Sequence, residues 1–305
     1  MRLPALGVGI AVALAVTTQA GAGAEGADVL ARIDVGPSPC SVAVTPGAAW
    51  ATVFNADEVV RIDTSTNRVV ARIPTSPRPC GITVAAGAVW VMNFRGHDVQ
   101  RIDPATSRVV ATIPVGVGPY DVLPGHGSIW LTNSDGSVVR INPRTNRITK
   151  RIQLPRIAPA GLAMTPNAVW VGSVSGNQIV RIDPRRNRIV KWITTGAGPE
   201  WLAATKNAVW VSNRGADTVV RVDVRTNRFR ARIRVGDQPV DSGIVAGHLW
   251  VPNLGSSSLT RIDPRTNRVV EVVPVGRGPF VVPDNPTELW VASFGGADVW
   301  RLRPR

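Results

Sequence analysis

Seven tryptophans, Trp50, Trp90, Trp130, Trp170, Trp210, Trp250 and Trp290, stand 40 residues apart along this 305-residue chain. A fixed period of that length marks a repeat architecture in which each copy is one supersecondary unit. The triplets Arg61-Ile62-Asp63, Arg101-Ile102-Asp103, Arg181-Ile182-Asp183, Arg221-Val222-Asp223 and Arg261-Ile262-Asp263 keep step with the tryptophans. The third copy, Arg140-Ile141-Asn142, comes one residue early, and the register is regained before Trp170. Seven such copies account for residues 25–305 as a single domain and leave no room for a second.

Within a copy the pattern is four short Val/Ile-rich runs bounded by Gly, Pro, Asn and Asp. In the second copy they are 81–84, 88–93, 98–103 and 108–114. The third and fourth runs are joined by Asp-Pro-x-Thr-Asn-Arg, as at Asp263 to Arg268 and nearly so at Asp183 to Arg188. Proline presets the first turn angle, Asp accepts backbone hydrogen bonds, and Asn tolerates the left-handed conformation that closes the turn. Helical periodicity is absent. A 40-residue unit of four strands predicts an all-β, seven-bladed β-propeller with one blade per copy. The last copy stops after its third strand, and Val29-Leu30-Ala31-Arg32-Ile33 matches Val69-Val70-Ala71-Arg72-Ile73. The N-terminal segment is therefore expected to complete blade 7 and close the ring, which leaves only short outer edges unpaired.

Met1-Arg2, an apolar run from Leu3 to Val16 and the small residues after it read as a secretory signal over residues 1–24, cut after Ala20 or Ala24. The run falls short of the roughly 20 apolar residues needed to span a bilayer, and no later segment resembles a transmembrane span. The expectation is a secreted or periplasmic protein. An apolar content of 44% excludes a disordered basic tail. Two cysteines, Cys40 and Cys80, exclude a dense disulfide scaffold and a four-cysteine zinc site. They occupy equivalent positions in adjacent copies near the axis. A disulfide, two free thiols and a soft-metal pair are all open readings.

Trp-Val-x-Asn (Trp90 to Asn93, Trp210 to Asn213), followed by Arg-Ile-Asp-Pro-x-Thr-Asn-Arg-Val-Val and Val-Gly-x-Gly-Pro, resembles the YVTN-type propeller repeat, with Trp in place of its usual tyrosine. The resemblance covers all seven copies and implies an exported binding or scaffold propeller. In overall architecture alone the chain is also similar to the lactonase and streptogramin B lyase propellers, none of whose motifs can be matched here.

Positions that recur in every copy are scaffold; those that vary are where function can be added. One such position, just before each innermost strand, reads Cys40, Cys80, Tyr120, Ala160, Glu200, Val240 and Phe280 around the ring. The next position includes Ser41, Asp121, Trp201 and Asp241. Loops between second and third strands add Phe54, Phe94, Arg95, His97, Asp135, Arg214 and Phe294. Tyr120, Asp121, Glu200, Trp201, Asp241, Phe280 and His97 are thus candidates for a small-ligand site at the channel mouth, or for a plug that fills it. No cofactor is expected, although Glu200, Asp121, Asp241 and the strand-end Asn93, Asn133, Asn213 and Asn253 offer oxygen ligands for a divalent ion on the axis. His97 is also a candidate proton carrier toward Glu200. No phosphate loop, Gly-x-Ser-x-Gly elbow or Cys-x-x-Cys occurs, so no catalytic mechanism is specified.

The formal charge is +14, and Lys150, Lys191 and Lys206 are the sole lysines. Arg144, Arg185, Arg186, Arg225 and Arg265 fall in the turns between third and fourth strands, an arginine-rich rim suited to an envelope polyanion. No aromatics interleave with those turn arginines, so sequence-specific nucleic-acid readout has no support. The reading is an exported, non-catalytic binding or interaction scaffold, its partner a protein or polyanion, with a small-molecule ligand as a further option. The alternative is a metal-dependent hydrolase or lyase at the channel mouth.

Overall fold

The computed structural model describes residues 26–305; the signal segment read from the sequence lies outside them. Twenty-eight strands form seven four-stranded antiparallel sheets. Blades 1 to 6 are built in chain order, as in blade 2, whose strands are Pro79–Ala85, Ala88–Asn93, Asp98–Asp103 and Arg108–Pro114 from the axis outward. Blade 7 takes Pro279–Val281, Leu289–Ser293 and Asp298–Pro304 from the C-terminal end and Ala27–Asp34 from the N-terminal end. The closing pair runs antiparallel from Ala27 opposite Pro304 to Asp34 opposite Asp298. One 3-10 turn, Arg214–Ala216, is the single helical element among the described residues, and no described helix is long and apolar enough to cross a membrane.

The tryptophan period has a packing cause. The apolar core divides into seven clusters, and each lies between two adjacent blades and holds one tryptophan of the column. Trp50, for example, sits with Val59 and Ile73 of its own blade and with Ile82, Val89 and Val91 of the next. Blades that radiate from an axis diverge, and a large flat side chain fills the widening wedge at the density of a protein interior.

The Arg-Ile-Asp column is not a set of arginine–aspartate pairs. Each arginine is the cross-strand partner of its own blade's tryptophan, as Arg61 is of Trp50, and its guanidinium lies 5.0–5.7 Å from that ring's centroid. From there it reaches the following blade. Arg140 donates to Asn187 at 3.0 Å, and Arg181 and Arg221 donate to Asn227 and Asn267 at 2.8 Å. The aspartate instead closes its own turn: Asp63 accepts the N–H groups of Ser65 and Thr66 at 2.9 Å. The Ser65 hydroxyl and these N–H groups hold the Asp63 carboxyl down at about 2, and the N–H and hydroxyl of Thr226 do the same for Asp223. Asn67, Asn146, Asn187, Asn227 and Asn267 all take φ between 50° and 59°, so a single residue both permits the turn and receives the neighbouring blade's arginine.

Candidate functional site

The innermost strands bring the variable column to the axis. Tyr120 and Asp121 open the inner strand Pro119–Gly125 of blade 3, Glu200 and Trp201 open Pro199–Ala204 of blade 5, and Phe280 lies in Pro279–Val281 of blade 7. Thr52 and Thr132 donate from second strands to the carbonyls of Cys80 and Ala160 in the next blade, at 2.7 and 2.6 Å, which fixes the spacing of adjacent inner strands. Blade 4 has Gly172 at that position, and any side chain there would run into the carbonyl of Glu200. Cys40 and Cys80 are joined by a disulfide, their Cα atoms 5.0 Å apart, between the inner strands of blades 1 and 2.

The aromatic residues meet across the mouth. Tyr120 and Trp201 have ring centroids 5.4 Å apart, Trp201 and Phe280 5.6 Å, Phe280 and Phe294 5.4 Å, and Phe294 and Phe54 5.6 Å. These rings come from blades 3, 5, 7 and 1, so they form a layer over the channel and do not merely rim it. Trp201 is nearly fully buried within it, and its indole Nε1 has no hydrogen-bond partner. Glu200 accepts a hydrogen bond from the Tyr120 hydroxyl and lies 3.4 Å from the Arg214 guanidinium. Burial and the Glu200 charge push the Tyr120 hydroxyl far above the usual phenol range.

Beneath this layer the channel encloses a cavity of about 410 Å³. Its walls carry Val42, Val84, Leu162 and Leu202, its upper end Tyr120, Trp201 and Phe280, and its polar groups include Asp121, Asp241 and Asp284. At the hairpin end it shares Ala204 and Asp284 with a second depression that also carries Lys206. Asp121 accepts from the N–H groups of Val122 and Leu162 at 2.7 Å. Asp241 is placed by an irregularity: its backbone pairs in parallel with Val281 of blade 7, through Asp241 N–H to Phe280 at 3.2 Å and Val282 N–H to Asp241 at 3.1 Å. Its carboxyl has no hydrogen-bond or ion-pair partner among the described residues.

Asp121 and Asp241 are half-buried on the channel wall. Burial raises Asp121 to about 6, against the opposing pull of its two backbone donors. Burial, followed by the charges of Asp121 and Asp284, raises Asp241 well above the usual carboxylate range. Asp284, exposed at the hairpin end, is raised by partial desolvation against the pull of the Ile244 N–H, which it accepts at 2.7 Å.

Other sequence candidates are placed elsewhere. Asn93, Asn133, Asn213 and Asn253 are fully buried and donate within their own blades, as Asn93 does to Asp98 at 2.7 Å; their Oδ1 atoms are buried without a partner, and none of the four residues lines the channel cavity. His97 accepts from the N–H of Gly118 at 3.1 Å and is committed to that loop. The carboxylate oxygens of Glu200 are engaged by Tyr120 and Arg214, and among the described residues no group of three His, Cys, Asp or Glu side chains is gathered around one point. Asp284 was missed in the sequence because it enters the channel from the hairpin end, four residues beyond the column that varied most visibly.

No protein-family model matches the sequence, and no curated protein matches it. Solved structures do match over nearly the whole ring. A virginiamycin B lyase from Staphylococcus aureus superposes with a TM-score of 0.80 at 18% identity, over 90% of this chain and 99% of that one. A streptogramin B lyase gives 0.78 at 16% identity, over 90% and 97%. The hydrazine synthase of Kuenenia stuttgartiensis gives 0.77 at 15% identity, over 88% and 96%. At these identities the likeness establishes the seven-bladed fold and nothing finer.

Proposed function

We propose that this chain is an exported, non-catalytic propeller of the YVTN-repeat kind that binds a small cationic molecule with an apolar body in its central channel. The observation that carries the reading is the Asp241 carboxyl, unpartnered on the wall of a cavity of about 410 Å³ beneath the aromatic layer. A carboxyl half-buried on an apolar wall without a partner is poorly solvated, and an ammonium or amidinium group supplies the missing charge and hydrogen bonds. The aliphatic walls and the Trp201 face suit the ligand's apolar portion. The test is a thermal melt of the chain with a panel of hydrophobic amines and their carboxylate analogues. Amines are expected to raise the midpoint, and Asp241→Asn is expected to remove the effect. A ligand present at a hundred times its Kd stabilises by about 2.7 kcal/mol, well within detection. If no amine shifts the melt, or if Asp241→Asn responds like the parent, the reading is wrong.

A second reading, a lyase or hydrolase, draws on the likeness to two streptogramin-type lyases. Its support in this chain is the pair Asp121 and Asp241, two carboxyls on the wall of one cavity, both with raised proton affinity, the residue type that acid–base chemistry uses. It needs no metal. Incubation with a streptogramin B cyclic depsipeptide separates the cases by mass. A lyase opens the ring without changing the mass, a hydrolase adds one water, and a binding protein returns the compound intact.

A further inference from the structure

We propose that the outer flank of blades 3 to 5 is a docking surface for an anionic lipid bilayer. The positive charge of the protein is not spread around the ring. Blades 3 to 5, Pro119 to Arg234, carry 19 Lys and Arg against 6 Asp and Glu, whereas the rest of the chain carries 16 against 15. A chain-wide preference for arginine would enrich all seven copies alike; the excess of +13 belongs to three consecutive ones.

It is also on the outside. The outer strands Arg147–Gln153, Arg188–Thr194 and Phe229–Arg234 display eight exposed cations, among them Lys150, Lys191 and Arg232, and contain no acidic residue. The outer strands of the other four blades together hold five cations and three acids. Single charges on an edge strand discourage unwanted strand pairing, but that need is the same in every blade and does not explain a threefold cluster.

The flank further differs in its aromatics. Phe229 is 47% exposed with Arg232 at 5.9 Å from its centroid, and half-buried Trp192 lies 5.7 Å from Arg156. No other outer strand carries an aromatic residue. A bilayer surface takes both kinds of group at once: phosphates meet the cations, and the headgroup boundary takes the aromatic and aliphatic side chains. A soluble polyanion would use the cations alone and leave Phe229 and Val190 in water. Single-stranded nucleic acid needs successive stacking faces, which one exposed phenylalanine does not provide. The inference is independent of the channel reading, since no flank residue named here lines the cavity.

The test is co-sedimentation of Glu25 to Arg305, in which the ring is complete, with vesicles of phosphatidylcholine alone or with about a third phosphatidylglycerol. Binding to the anionic vesicles alone is expected, and it should weaken severalfold as salt is raised beyond physiological strength. At about fivefold per charge, Lys150→Glu/Lys191→Glu/Arg232→Glu is expected to lower the partition at least a hundredfold. The matched reversal Arg68→Glu/Arg108→Glu/Arg268→Glu in blades 1, 2 and 6 should lower it far less. Phe229→Ala, whose fold is not in question, should weaken it severalfold at unchanged charge. Equal losses from the two reversals would overturn the proposal. So would tighter binding to duplex DNA or an anionic polysaccharide with no effect of Phe229→Ala, which would assign the flank to a soluble polymer.

Discussion

Arg301 in blade 7 donates from its guanidinium to the side-chain oxygen of Asn67 in blade 1 at 2.8 Å, across 234 residues of sequence. The same guanidinium donates to the Thr64 carbonyl at 2.6 Å and to Glu288 at 2.8 and 3.0 Å, and it lies over Trp290 at 5.1 Å. What elsewhere joins one blade to the next here joins the end of the ring to its beginning.

Arg301→Ala should therefore destabilise by about 2–4 kcal/mol, because it leaves Glu288 without its partner in a half-buried site. Arg301→Lys should recover little, since an ammonium cannot replicate the forked donors. Arg265→Ala, at a side chain 90% exposed, should change stability by less than about 0.5 kcal/mol. Urea denaturation of the three variants measures the contrast.

The disulfide closes a loop across 40 residues between blades 1 and 2. On the loop-entropy account, Cys40→Ser/Cys80→Ser should cost about 4 kcal/mol. The parent in reductant should approach the double variant's urea midpoint, and a parent midpoint insensitive to reductant would contradict the bond's contribution.

Asp241 gives stability a pH signature. Its carboxyl is raised in the folded ring, so the native state holds that proton after the unfolded chain has released it. The contribution is complete below the unfolded value near 4 and is lost as pH rises through the raised folded value. Asp121 loses its share around pH 6. Asp241→Asn should raise the melting midpoint at pH 8 by a few degrees and should leave it nearly unchanged at pH 4. Calorimetric melts at the two pH values test the sign.

The aromatic layer should be stabilising as well as obstructive. Trp201→Ala removes a buried indole in contact with Tyr120 and Phe280 and should cost about 3–5 kcal/mol. Trp201→Phe should cost less than half as much, and a cost below about 1 kcal/mol for Trp201→Ala in urea titrations would show that the layer contributes no packing.

The amino-acid order by itself determined the blades. Trp50 and its six successors, the Val/Ile runs, the asparagine turns and the match of 29–33 to 69–73 are all local or strictly periodic, and each period repeats one packing problem between diverging sheets. The same letters did not disclose what the Arg-Ile-Asp column does, because its arginine finds its acceptor one blade away in space. Tertiary structure alone decided the channel. Tyr120, Trp201, Phe280 and Phe54 belong to four blades, and only closure of the ring brings them together as a layer. The channel carboxyls of Asp121, Asp241 and Asp284 likewise acquire their environment from inner strands meeting around an axis, and no local pattern in a chain encodes the distance across a ring.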